Sequence, residues 1–345
     1  MRNRLWLAPM TNLQSHADGA LSDDELHWLQ MRADGGFAVI ETCAAHVALD
    51  GQGWPGELGI YDDKLLPGLR RLATMFATRE VLGLVQLYHG GLRAPEAVTG
   101  QLPWTATAVN DGALVARAAT ESDLIRALQA FRDAAVRAHS AGFGGVELHG
   151  AHGYLLGQFL SATLNTRDDA WGGDLVGRAR FVREAMRAVR SAVPASFVVG
   201  IRLSPEDFGN ARGIDLDEAI QVARWMADDG ADFIHVSLWD SKRNTRKRPD
   251  EHAIPLFRAA LPSDVTLVAA GSIWTRDDAQ SLIDKGATAV AVGRAAIANP
   301  QWASQLKDPD WQPRRPPMTI AELVERGLSP TFANYMRGWK NFVAD

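Results

Sequence analysis

Short apolar runs rich in Val, Ile and Leu alternate with longer amphipathic stretches along the whole chain. Eight runs stand out, at residues 5–8, 37–42, 82–88, 144–148, 197–203, 233–237, 265–270 and 289–292. Runs this short, apolar on consecutive positions, read as strands covered on both faces. The stretches between them carry apolar residues at helical spacing. They predict helices near 23–33, 62–78, 121–140, 178–191, 216–229, 251–260, 275–284 and 300–306. Ser22 stands at capping-box spacing from Glu25, and Thr275 precedes Asp277 and Asp278, acids placed where a helix N-terminus favours them. Lys285-Gly286 closes that helix with a basic last turn and a glycine stop.

Strand followed by helix, repeated from end to end, predicts a single (β/α)8 TIM barrel; an open doubly wound sheet is the other architecture the pattern allows. Two connections exceed plain turns, 89–120 after the third strand and 149–176 after the fourth. Both follow C-terminal strand ends, the face on which barrel active sites are built. The barrel is expected over residues 1–310, with 311–345 a C-terminal surface extension at a subunit interface.

Composition adds exclusions. The 345 residues are 46% hydrophobic and 22% charged, as in an ordinary globular chain with a sizeable core. A net charge of −5 with both signs interspersed offers no basic face for nucleic acid or an anionic membrane. The N-terminal apolar run is too brief for a signal segment, and the expected location is cytoplasmic. Cys43 is the only cysteine, which excludes an intrachain disulfide, a thiolate zinc site and a cysteine-ligated cluster within one chain.

The chemistry concentrates after the fourth strand, in Gly145-Val-Glu-Leu-His149-Gly-Ala-His152-Gly-Tyr154, continuing through Ser161, Asn165, Arg167, Asp169 and Trp171-Gly172-Gly173. Two imidazoles can donate to an oxygen that gains negative charge, and a nearby phenol can deliver a proton. Both histidines could equally be satisfied loop residues. The His-x-x-His spacing could ligate zinc, but no third ligand of suitable spacing stands nearby. The Gly142–Gly145 cluster precedes a strand, which is wrong for a dinucleotide loop.

This segment closely resembles the signature of the Old Yellow Enzyme family, and the resemblance runs from Ala8 to Trp339. It implies FMN as cofactor, NAD(P)H as hydride donor, and reduction of the C=C bond of an α,β-unsaturated carbonyl or nitro compound. His149 and His152 would bind the activating group, and Tyr154 would supply the proton. FMN would contact Pro9, Met10 and Thr11 after strand one, Ala44 on strand two, Gln86 on strand three, and His149. Arg202 on strand five would face the anionic reduced flavin; its plainer reading is a salt bridge to Glu147 or Asp232. Gly271 and Ser272 after strand seven, with Gly293 and Arg294 after strand eight, would cradle the phosphate. Tyr335-Met336-Arg337-Gly338-Trp339 is similar to the end of the thermophilic-like subclass, implying a homo-oligomer, dimer or tetramer, in which Arg337 enters the neighbouring subunit's substrate site.

The subclass marks are mixed. Thr11 is the residue of the Old Yellow Enzymes proper, Leu13 stands where the thermophilic-like subclass has tyrosine, and the family's His-Ala-Gly-Arg reads His89-Gly90-Gly91-Leu92, with the cation displaced to Arg93. Trp104 either narrows the pocket or packs on its loop. Oxidative N-demethylation of a small methylated amine is the alternative activity, and a flavin-storing barrel the non-enzymatic one.

Overall fold

The computed structural model describes residues 2–112 and 114–344. All eight apolar runs form strands: β1 (Leu5–Leu7), β2 (Val39–His46), β3 (Leu82–Tyr88), β4 (Gly145–Gly150), β5 (Val198–Leu203), β6 (Phe233–Ser237), β7 (Thr266–Ala270) and β8 (Ala289–Val292). Each pairs in parallel with the next, and β8 pairs back onto β1, so the sheet closes. Closure removes the open-sheet alternative.

The helices that follow are α1 (Asp23–Asp34), α2 (Leu66–Ala77), α3 (Glu121–Ala141), α4 (Leu175–Ala192), α5 (Leu216–Asp228), α6 (Ala253–Ala260), α7 (Arg276–Asp284) and α8 (Arg294–Ala298). The last differs from expectation. The helix after β8 starts directly at Gly293, and the expected segment at 300–306 holds only the one-turn helix Trp302–Gln305. Thr275 caps α7 in a full box with Asp278, whereas Ser22 accepts only the Glu25 amide. The Glu25 carboxylate turns inward instead, taking hydrogen bonds from Asn12, Ser15 and the thiol of Cys43.

Two cores result from the alternation of side chains along each strand. Outside the barrel, strands and helices enclose most of the apolar residues. Inside it, Trp6, Val39, Leu84, Phe233 and Val268 fill the lower half, with Trp6 edge-on to Phe233 at 5.1 Å. Two residues further along β2, β3 and β6 the inward positions turn polar, giving Glu41, Gln86 and His235, and β4 and β5 add Glu147 beside Gln86 and Arg202 beside His235. A register shift between Glu41 and Ala44 on β2 re-aims the strand end.

The tail is less superficial than expected. Met318, Leu323, Leu328, Phe332 and Met336 are buried, and Phe332 packs edge-on to Trp28 of α1 at 5.5 Å. Arg32, fully buried near the end of α1, ties the tail down. It donates to the carbonyls of Trp28 (3.2 Å), Ala296 (3.2 Å), Ile297 (3.1 Å) and, in the tail, Arg326 (2.7 Å). No helix among the described residues is long and apolar enough to cross a membrane. Replacing Arg32 with Met orphans these carbonyls and is expected to cost about 3 kcal/mol; an unchanged urea midpoint would show that the staple contributes nothing.

Candidate active site

The expected residues converge at the C-terminal mouth. Pro9, Met10, Thr11, Ala44, Gln86, His149, His152, Tyr154 and Arg202 line one depression, together with Trp54, which the sequence reading missed.

Its floor is the polar layer. Glu147 accepts from Gln86 Nε2 at 2.7 Å and pairs with His235 Nδ1 at 2.7 Å. Burial pushes the Glu147 carboxyl up, but His235 and Arg202 outweigh it and hold it below the usual range. Burial and the Glu147 charge push Glu41 far above that range, so Glu41 keeps its proton. Glu41, Glu147 and His235 are close enough to share a cation, and the Arg202 guanidinium already supplies positive charge there. Arg202 forms no direct salt bridge among the described residues; Asp232, the other partner considered for it, pairs with Arg190. Arg202 Nη2 reaches Ser237 Oγ at 3.1 Å, and its Nε is buried without a partner.

Ser237 passes this order on to the substrate loop. Arginine can only donate, so the serine oxygen accepts from Arg202, and the same hydroxyl is hydrogen-bonded to His152 Nε2, 2.8 Å away. His152 has φ +61°, a left-handed conformation held by its amide bond to Ser204 Oγ at 3.2 Å. His149 sits edge-on to it at 5.0 Å, with Nδ1 buried and unpartnered. Burial drives the pKa of both imidazoles well below the ordinary histidine value, so both stay neutral near pH 7 and each offers one N–H.

Tyr154 caps the short helix Leu155–Leu160 and stands between His149 at 5.0 Å and the edge-on ring of Tyr88 at 4.6 Å. Tyr88 in turn packs on Trp54 at 5.4 Å. Neither Tyr88 nor Trp54 belongs to a motif; the inward parity of β3 was the only available signal for Tyr88. Trp104 settles on its loop, bonded to Asp50 at 3.0 Å and packed on His89. Tyr335 of the tail stands beside Thr11, whose side chain partly offsets the upward push of burial on the phenol.

At β7 and β8 the backbone forms a cradle. Gly271 has φ +152°, and a Cβ there would lie 2.6 Å from the Leu238 carbonyl, so only glycine fits. Arg294 Nη2 bonds Ser272 Oγ at 2.7 Å, and Gly293 opens α8, whose amide end faces the same mouth. Trp339 lies under the Arg294 guanidinium at 5.5 Å, which brings the tail motif to the cradle. Arg337 is exposed, with Nε 3.4 Å from Asn334 Oδ1 of its own chain.

These donors fit FMN. The unpartnered Arg202 Nε and His149 Nδ1 are buried in the mouth, Gln86 lines it with a side-chain amide that would suit the donor and acceptor edge of a flavin, and the glycine-lined amides would suit a phosphate.

A family model described as NADH:flavin oxidoreductase / NADH oxidase matches residues 1–309. The chain is 35% identical over 316 residues to the "Probable NADH-dependent flavin oxidoreductase YqiG" of Bacillus subtilis, covering 89% of this chain and 84% of that one. It is 31% identical over 320 residues to the NADH:fumarate oxidoreductase of Klebsiella pneumoniae, matching 89% of this chain but 34% of that protein's length. Morphinone reductase superposes with a TM-score of 0.81 at 25% identity, covering 93% of this chain and 89% of that one.

Arg202→Gln is expected to weaken FMN binding about 10- to 100-fold, the range for hydrogen bonds to a charged group. Fluorescence titration of the apoprotein measures it, and equal affinity would remove the guanidinium from the contact.

Proposed function

The chain belongs to the NADH:flavin oxidoreductase / NADH oxidase family, the Old Yellow Enzyme family that its motifs resemble, and we propose that it acts as an ene-reductase. FMN, when bound, would supply the hydride transfer from NAD(P)H to the β-carbon of an α,β-unsaturated carbonyl or nitro compound. The convergence of His149, His152 and Tyr154 above the Gln86 and Arg202 floor carries this reading.

The protein's part is positioning and proton supply. His149 and His152, both neutral, each direct an N–H at the oxygen of the activating group, where charge builds as hydride arrives. Their neutrality suits a polarising role: a charged imidazolium would compete with the phenol as the acid. Tyr154 holds its proton because burial raises its pKa above the ordinary phenol value, and it releases the proton to the α-carbon. Gln86, Arg202 and Thr11 would hold the ring, and Gly271, Ser272, Gly293 and Arg294 the phosphate, with Pro9, Met10 and Ala44 as apolar contacts.

Tyr154→Phe is expected to slow anaerobic reoxidation of the reduced enzyme by cyclohexenone about 100-fold or more, while reduction by NAD(P)H proceeds. Stopped-flow absorbance separates the two half-reactions, and an unchanged reoxidation rate would remove Tyr154 from the mechanism. The tail motif supports an oligomer in which Arg337 reaches a neighbouring substrate site. Sedimentation velocity is expected to show a dimer or larger species; a fully active monomer would rule that arrangement out.

A further inference from the structure

We propose that Arg93 is the positioning residue of the proton-donating phenol: its guanidinium lies over the Tyr154 ring and supplies the positive charge that faces the phenolate left when the proton has gone. This rests on the proposed role of Tyr154. Arg93 Cζ is 4.3 Å from the Tyr154 ring centroid, and Nη1 donates to the His152 carbonyl at 3.0 Å. One arginine thus grips the substrate-binding histidine's backbone and covers the phenol two residues on.

The turn that delivers Arg93 is built for this placement. Gly91–Arg93 form a single 3-10 turn, and Gly91 has φ +57°, with Gln158 Oε1 2.3 Å from where a Cβ would stand. The fully buried Gln158 clamps the two loops together. Its Nε2 donates to Gly90 O at 3.0 Å and Gly153 O at 2.9 Å, and its Oε1 accepts from the Leu92 amide at 3.0 Å. Leu155 N adds a bond to His89 O at 3.1 Å. The turn held in this way places Arg93 over the Tyr154 ring.

The surroundings make that charge count. Tyr154 is faced by Arg93 from the turn, Tyr88 from β3, His149 and His152 from β4 and its loop, Glu57 from the segment after β2, and Tyr335 from the tail. Burial keeps Glu57 protonated and both histidines neutral. Arg202 lies deeper and is balanced by Glu147. Arg93 makes no ion pair with Asp or Glu among the described residues, so its charge is free to act on the phenol. In the transfer the Tyr154 O–H bond breaks, a C–H bond forms at the α-carbon, and the electron pair stays on the phenol oxygen. The β-carbon receives its hydride from the reduced cofactor. Burial opposes the resulting phenolate, and the stacked guanidinium offsets that penalty.

The test uses FMN-loaded protein carrying 3-fluorotyrosine, whose lower pKa brings the titration into a range the fold tolerates. The chain has 4 tyrosines, so 19F NMR resolves them, and Tyr154 is assigned by its loss in Tyr154→Phe. In Arg93→Gln the Tyr154 midpoint is expected to rise by about one pH unit or more, a tenfold change in its acidity constant. Arg93→Lys is expected to restore part of it, and Tyr61 serves as the internal control. An unmoved Tyr154 midpoint overturns the proposal whatever the turnover does. A shifted midpoint in an enzyme that reduces no enone leaves Arg93's role standing and sinks the substrate reading. Should the Gln variant lose its flavin, Arg93→Met carries the test, with a rise supporting the pairing and an unmoved midpoint overturning it.

Discussion

A permanent cation enclosed in a barrel governs the rest of this structure. The Arg202 guanidinium cannot shed its proton to escape burial, so the strands around it must supply compensation. Glu147 does so as an ion, while Glu41 avoids a second negative charge by staying protonated, and the layer is balanced as one plus against one minus. The inward positions of β2, β3, β4, β5 and β6 at this height are committed to that balance, which is why apolar packing fills only the lower half. Removing one member would leave the others as uncompensated buried charge, the costliest defect a core can carry.

Order spreads upward from that layer by way of Ser237. The hydroxyl that receives Arg202 is also bonded to His152 Nε2, so the buried cation and the loop imidazole share one serine. The loop beyond is held in a left-handed conformation at His152 and then at Gly153, and such conformations persist only where the surroundings over-determine them. Gln158, with both ends of its amide satisfied across two loops, provides much of that determination.

The barrel was legible in the sequence because its strands are covered on both faces and therefore read as unbroken apolar runs. The loop chemistry was legible because His149, His152 and Tyr154 lie within six consecutive residues. Other features left no such trace. The helix after β8 has five residues, fewer than a helical period needs to show itself. Glu25 matched a capping spacing, yet the buried Asn12, Ser15 and Cys43 drew its carboxylate away. The tail looked like a surface segment because its apolar residues are spread thinly, and only Arg32 and Trp28, about 300 positions earlier in sequence, reveal where they dock. Arg93 read as a misplaced family arginine because its partner ring lies on another loop.

The burial of Cys43 reaches beyond the fold. Its thiol is enclosed, donates to Glu25, and is pushed well above the ordinary thiol range by burial and that neighbouring carboxylate. The sole sulfur nucleophile is consequently inert toward maleimides and slow toward peroxide, the by-product a reduced flavin makes when it meets oxygen. A thiol introduced anywhere on the surface would then be the single reactive handle on the folded protein, with no native cysteine to remove first.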